Sequence, residues 1–310
     1  MPSLAAVYKS LLPIGAAVDP YGFSINGDLL AAQVSSLVAE NAMKWQSIHP
    51  RPGNDPSSYS FGGADAVVAF AQQHGMLVRG HTLVWHNQVP DWVFRGANGT
   101  ATRAELLDRL QGHITTVLAH FKGSVYAWDV VNEAVSDGAG MWRDTPWYQI
   151  DGADQNGDGI PEYIEKAYQW ARAADPAAEL FYNDYNIESG PKLEKAFTLV
   201  KALKARGLID GVGIQGHWSI YSASPATVRA AIDRFASLGV KVQITELDLS
   251  LYQWGDTSSL DAPPADRLKA QADAYAGLFQ VFRDEATAGK LTGVTFWGIS
   301  DDHTWLDSFP

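Results

Sequence analysis

The sequence predicts an α/β protein, a closed (β/α)8 TIM barrel, on three observations. Short apolar, β-rich segments alternate with longer stretches of helical period along all 310 residues. Eight strand segments can be placed, with no Ser/Pro/Gly run or charge block that would act as a linker. No glycine-rich phosphate fingerprint follows the first strand, which weakens the doubly wound alternative.

The strands are predicted at 13–18, 42–45, 77–83, 125–131, 179–183, 211–215, 241–246 and 293–297, where β-branched and aromatic residues run together. The helices are predicted at 27–38, 63–74, 103–121, 161–174, 191–206, 225–237 and 264–286. Pro161, Pro191, Pro225 and Pro264 suit first turns, where a missing N–H costs nothing. Gly75, Gly207, Gly239 and Gly289 suit left-handed caps after helix ends. After the eighth strand only residues 298–310 remain, so one barrel domain over 1–310 is expected without its last loop and eighth helix. That would leave an apolar flank uncovered beside the last strand and first helix.

Composition narrows the function. There is no cysteine, which rules out disulfides, thiolate metal sites and a cysteine nucleophile. The net charge of −12 argues against nucleic-acid binding, which needs a basic face. No apolar run is long enough for a membrane span. The amino terminus has no targeting signal, so the chain is either cytoplasmic or the mature form of a secreted protein. The 11 tryptophans are unusual, and indole faces suit sugar rings as well as cores.

In a (β/α)8 barrel the chemistry sits at the carboxyl ends of the strands. Read in order, the second strand leads from Glu40 and Asn41 to Lys44 and Trp45, and the later ends carry His81, Trp85, His86 and Gln88; Asp129, Asn132 and Glu133; Asn183, Asp184 and Tyr185; Gln215, His217 and Trp218; Glu246 and Asp248; and Trp297 and Trp305. Any one of these could be an ordinary polar residue at a wet rim. The set could not easily be, because Glu133 and Glu246 each follow an apolar strand, where a carboxylate loses hydration and must be paired or protonated. Two such carboxylates across a barrel mouth fit glycoside hydrolysis, in which one protonates the leaving oxygen and the other attacks the sugar or activates water. A zinc site fits less well, since the histidines lie on different strands without ligand spacing. Trp128 and Trp170 read as core, and Asp129 as either structural or catalytic.

The segments Trp128-Asp129-Val130-Val131-Asn132-Glu133-Ala134 and Ile244-Thr245-Glu246-Leu247-Asp248 resemble the two signatures of glycoside hydrolase family 10, the retaining endo-β-1,4-xylanases. Glu40-Asn41-Ala42-Met43-Lys44, Arg79 to His86, Tyr182 to Asn186, Gly213 to His217 and Phe296-Trp297-Gly298 match further family segments in order across nearly the whole chain. The resemblance implies xylan and xylo-oligosaccharides as partners, no catalytic cofactor, and a monomer that a C-terminal fragment could complement. It implies Glu133 as acid/base and Glu246 as nucleophile. Asn132 would bond the 2-hydroxyl, and His217, oriented by Asp248, would bond Glu246. Glu40, Asn41 and Lys44 would bind the sugar two sites towards the non-reducing end. His81, Trp85 and Gln88 would shape the site of the attacked sugar, with Asn183 and Gln215 also in the binding set. Tyr185 would stack on the leaving-group side, and Trp297 and Trp305 would roof the glycone side. The enzyme rival is a cellulase or mixed β-1,4-glycanase, which the bulk of Trp297 and Trp305 argues against. The non-enzyme rival, an inactive sugar-binding barrel, is disfavoured because both glutamates are present.

A second motif lies apart from the mouth. Asp154, Asn156, Asp158, Gly159, Ile160 and Glu165 fit the calcium loop D-x-[DN]-x-[DN]-G-x5-E. Side-chain oxygens of Asp154, Asn156, Asp158 and Glu165 and the Ile160 carbonyl are therefore expected to hold a structural Ca2+. The alternative is an acidic, glycine-rich surface turn.

Overall fold

The computed structural model describes residues 2–152, 157, 159–256, 258, 262–302 and 304–308. Eight parallel strands form the barrel: β1 (Ile14–Val18), β2 (Ser36–Ala39), β3 (Leu77–Gly80), β4 (Ala127–Asn132), β5 (Glu179–Asp184), β6 (Gly211–Ile214), β7 (Lys241–Ser250) and β8 (Leu291–Phe296). Each pairs with the next, and β8 pairs with both β7 and β1, which closes the sheet and removes its edges. The crossover helices are α1 (Phe23–Gln33), α2 (Gly62–Gln73), α3 (Arg103–Phe121), α4 (Glu162–Ala174), α5 (Gly190–Ala205), α6 (Pro225–Ala236) and α7 (Ala265–Thr287). A short strand at His217–Ser219 runs beside the end of β7.

One predicted element is corrected. The second strand is Ser36–Ala39, not 42–45, and α1 ends at Gln33 rather than continuing to 38. Val34, Leu37 and Val38 satisfy a helical spacing as well as a strand, so periodicity alone merges them with the preceding helix. All four strand residues are buried, as expected of a parallel strand covered on both faces. The shift puts Glu40 and Asn41 at the carboxyl end of β2, and Trp45–Ile48 forms a helical turn instead. Other boundaries differ from expectation by a few residues. Gly75, Gly207, Gly239 and Gly289 are all left-handed, with φ of 66°, 69°, 71° and 73°. Pro191 and Pro225 lie in first turns, whereas Pro161 and Pro264 sit one residue earlier.

After β8 the described residues hold one 3-10 turn, Trp305–Ser308, and no α-helix. Ile25 and Leu29 on α1 are 83% and 49% exposed, and a groove of about 340 Å3 is lined by Leu4, Tyr8, Tyr275, Ala276, Phe279 and Phe296.

Trp128 is core, at 1% exposure, and its position depends on a glycine on the neighbouring strand. A Cβ on Gly80 would lie 2.2 Å from the Trp128 ring, in register with it across β3 and β4. Gly80→Ala is therefore expected to destabilise the protein by about 1–3 kcal/mol through overpacking. Gly75→Ala, with open space around it, should lose only the left-handed backbone preference, about 1–2 kcal/mol. Urea midpoints and slopes of the two variants check both values.

Candidate active site

Glu246 and Glu133 reach the same mouth by local irregularities in their strands. The β7–β8 ladder shifts register between Ile244 and Leu247, and the β4–β5 ladder between Asp129 and Val131. Such shifts re-aim side chains that regular alternation would point elsewhere. Glu133 itself is left-handed, with φ of 56°, a costly conformation for a residue with a Cβ. Its surroundings hold it there. Its N–H donates to the Asn183 carbonyl (2.9 Å), its carbonyl accepts Arg143 Nε (2.9 Å), and the Ala134 and Val135 N–H groups both donate to the Tyr182 hydroxyl (3.1 Å each).

Glu246 is 4% exposed and enclosed by donors. His217 Nε2 lies 3.1 Å from Oε2, and Asn183 Nδ2 donates to Oε1 at 2.7 Å. The Asn183 amide is oriented because Thr245 Oγ1 donates to its Oδ1 at 2.5 Å. Gly213 makes room for that amide, since a Cβ there would lie 2.3 Å from Asn183 Oδ1. His217 is gripped from behind by Asp248, with Nδ1 2.8 Å from Oδ2, and Asp248 also accepts Trp305 Nε1 at 2.9 Å. Burial pushes the imidazole down, but the bonds to Asp248 and Glu246 raise it from 6.5 to about 10, so His217 is a cation. Burial likewise pushes Glu246 up, but His217, His81 and Asn183 pull it from 4.5 to about 2. Glu246 is thus an ionised carboxylate in an almost wholly buried position.

His81 lies 4.0 Å from Glu246 Oε1 and is fixed by Asp129 (Nδ1···Oδ2, 2.9 Å). Asp129 is fully buried and forms a two-pronged ion pair with Arg79, whose Nε donates to Gln243 at 3.0 Å. Asp129 therefore supports the floor of the site and touches Glu246 only through His81.

Glu133 meets other partners. Trp85 Nε1 donates to Oε2 at 2.9 Å and Gln215 Nε2 to Oε1 at 2.9 Å, while the Asn132 amide lies 3.3 Å from Oε1. His86 Nε2 is 3.8 Å away, and burial pushes that imidazole down, towards its neutral form. Trp85 is backed by Trp147, whose Nε1 donates to its carbonyl at 2.7 Å.

The β2 and β3 loops make the other wall. Lys44 Nζ donates to Asn41 Oδ1 at 2.9 Å and Gln88 Nε2 to the same oxygen at 3.1 Å. The ammonium also sits 4.9 Å over the Trp85 ring. Burial lowers its pKa, opposed by Glu246, Glu40 and Glu133. Trp297 stands edge-on to His81 (5.2 Å between centroids), and Trp305 stands edge-on to His217 (4.7 Å). These contacts link Asn41, Lys44, Gln88, His81, Trp85, Asn132, Glu133, Asn183, Gln215, His217, Glu246 and Asp248, whereas Trp218, also expected at a strand end, packs in the core with its Nε1 donating to Glu188 at 3.1 Å.

Comparison with known proteins follows this geometry. The model of glycosyl hydrolase family 10 matches residues 3–310. The chain belongs to glycosyl hydrolase family 10. Within the family, the β-1,4-xylanase of Dictyoglomus thermophilum is 49% identical over 313 residues, covering 100% of this chain and 84% of that protein. The crystal structure of xylanase XynB from Paenibacillus barcinonensis, complexed with a conduramine derivative, has a TM-score of 0.93 at 43% identity and covers 100% of this chain and 91% of that one. A variant of TsXylA, an intracellular xylanase from Thermoanaerobacterium saccharolyticum, complexed with xylotetraose, has a TM-score of 0.87 at 43% identity over 99% of this chain and 92% of that one. The protein is a glycoside hydrolase.

A cluster beside the family's acidic signature was not legible in the sequence. Arg143 donates to the Tyr185 hydroxyl (2.8 Å) and pairs with Asp137 (2.9 Å), and the Tyr185 hydroxyl donates to Asp137 at 2.6 Å. Lys192, buried at the start of α5, bridges Asp137 (2.8 Å) and Asp184 (2.9 Å) with its Nζ 3.3 Å from the centre of the Tyr185 ring. Asp184, a strand-end acid by sequence, is raised by burial to about 7, opposed by Lys192.

Of the expected calcium ligands, Asp154, Asn156 and Asp158 lie outside the described residues. Ile160 is buried, and Glu165 accepts Gln169 Nε2 at 3.2 Å and lies 3.6 Å from Arg206 Nε. The flanks of the loop are tied together, since Asp151 accepts the Tyr163 N–H at 2.9 Å and pairs with Arg103 at 3.1 Å.

The Glu246–His217 pair makes stability depend on pH at both ends. The raised His217 contributes fully below pH 6.5 and loses its contribution as pH rises through about 10. The depressed Glu246 contributes above pH 4.5 and loses its contribution as pH falls towards about 2. His217→Gln should therefore flatten the stability profile in both windows, most clearly between pH 6.5 and 10. Urea midpoints across pH compare the two proteins; parallel profiles would contradict the ion pair.

Proposed function

We propose that the protein is a retaining endo-β-1,4-xylanase, with Glu246 as nucleophile and Glu133 as acid/base. The observation that carries this reading is the difference between the two carboxylates. Glu246 is enclosed by His217 as a cation and held ionised, whereas Glu133 is bonded by the neutral N–H groups of Trp85 and Gln215. Two carboxylates so differently surrounded, one facing a cation and one facing uncharged donors, suit the separate roles of nucleophile and acid/base in a double displacement. Glu246 attacks the anomeric carbon while the Glu133 carboxyl gives its proton to the glycosidic oxygen, and the bond to the leaving sugar breaks. Glu133, now a carboxylate, takes a proton from water, which displaces Glu246 from the same carbon and frees a sugar of unchanged anomeric form.

Asn132 would bond the 2-hydroxyl of the attacked sugar, in a site shaped by His81, Trp85 and Gln88. Glu40, Asn41 and Lys44 would hold the next sugar towards the non-reducing end. Trp297 and Trp305 roof this side, where a glucose hydroxymethyl group would crowd them, and this favours xylan over cellulose. Tyr185 would stack on the leaving-group sugar. A polymer of this size does not cross a membrane, so we place the enzyme outside the cell. No described helix is long and apolar enough to span a membrane.

Glu246→Ala should abolish xylan hydrolysis, and azide should restore turnover of an activated xylobioside with inverted product. Glu133→Ala should retain substrates with good leaving groups far better than xylan. Full activity of both variants on xylan would refute the assignment, and equal activity on xylan and carboxymethylcellulose would refute the specificity.

We also propose, on the sequence motif, that residues 154–165 bind a structural Ca2+. To serve as a ligand, Glu165 would have to turn from Arg206 and Gln169 towards the ion. EDTA should lower the melting temperature and added Ca2+ restore it; no shift in either direction would sink the site.

A further inference from the structure

We propose that Lys192 is a positioning residue for the leaving-group side of the cleft, clamping the Tyr185 ring in place by bridging Asp184 at the end of β5 to Asp137 in the loop after β4. The role rests on the reading of Tyr185 as the platform for the leaving-group sugar.

Lys192 sits in the first turn of α5, a position where a lysine normally reaches solvent, yet its side chain is only 8% exposed. Its Nζ meets the oxygens of Asp184 at 2.9 Å and Asp137 at 2.8 Å, carboxylates from two different βα units. The same ammonium lies 3.3 Å from the centre of the Tyr185 ring, so it also holds one face of that ring. The ring's far end is held by Asp137 (2.6 Å) and Arg143 (2.8 Å) at the hydroxyl. Tyr185 is thus held at its base by the N–H it donates to Asp184 Oδ1 (2.9 Å), at its face by Lys192 and at its tip by Asp137 and Arg143. A rigid ring loses little freedom when a sugar stacks on it, and this is how pre-organisation improves binding.

The cluster continues to the acid/base. Arg143 Nε donates to the Glu133 carbonyl, and Asp184 accepts the Tyr182 hydroxyl that caps the Ala134 and Val135 N–H groups. Because Lys192 joins Asp137 to Asp184, it couples the platform to the backbone turn that aims Glu133. Its effect should appear where a leaving sugar must be held and be much smaller where the leaving group has no ring.

The test compares xylotetraose with xylobiosyl fluoride, whose leaving group carries no sugar. In Lys192→Met, kcat/KM for xylotetraose should fall at least tenfold more than that for xylobiosyl fluoride, and the acceptor concentration needed for transfer from the glycosyl-enzyme should rise. Lys192→Arg, which keeps the charge, should recover part of the loss. Asp137→Asn breaks the outer half of the clamp at a half-exposed residue and should give the same selective pattern in a folded protein, so the test survives if Lys192→Met does not fold. Equal losses on the two substrates, in either variant, would overturn the role of Lys192. A wild-type protein inert on both substrates would instead overturn the reading of the site itself.

Discussion

The site depends on keeping one carboxylate charged while burying it almost completely. Removing Glu246 from solvent favours its neutral form, and a neutral acid is a poor nucleophile. The barrel offsets this with groups from several strands: Asn183 from β5, His217 after β6, Asp248 from β7 and His81 after β3. No single βα unit could supply them. Closure of the sheet is therefore a requirement of the chemistry as well as of stability, because β7 must have β6 and β8 on either side for this set to converge.

Charge is layered beneath this carboxylate. Asp248 faces His217, which faces Glu246; Arg79 faces Asp129, which faces His81. Within Asp248, His217 and Glu246, and within Arg79 and Asp129, each charge has an opposite neighbour, and losing one member would leave another uncompensated. The alternation also explains why Asp129, although only four residues before Glu133, has no direct contact with it among these bonds. Its side chain points to the barrel interior, where Arg79 needs a counter-ion.

The chemistry of the mouth was legible in the sequence because strand ends are where an apolar run stops, and a carboxylate after such a run is conspicuous. Glu133, Glu246, Asn183 and His217 could be found this way. Strand β2 was placed wrongly because Val34, Leu37 and Val38 fit both periods, and only tertiary burial decides between them. Lys192, Asp137 and Arg143 were missed for a different reason. They lie in a loop and at a helix start, where charged residues are ordinary, and nothing local says that Lys192 is buried. The tryptophans divide similarly: Trp128 and Trp147 are core, Trp85, Trp297 and Trp305 line the mouth, and composition alone could not sort them.

The two sides of the cleft are built on different physical terms. On the side proposed to bind the glycone, Asn41, Gln88, Lys44 and Trp85 form a network containing one cation partly desolvated by burial. On the side proposed to hold the leaving sugar, Lys192, Arg143, Asp137 and Asp184 form an ionic lattice around one aromatic ring. The difference follows from what each side must do. In the proposed double displacement the glycone side must grip the sugar throughout the covalent intermediate, a task suited to amides and indoles that bond and stack on the ligand. The other side must hold a sugar during bond cleavage and then release it. There the strong interactions are made within the protein, so the platform stays rigid while its own contact with the sugar remains weak enough to break.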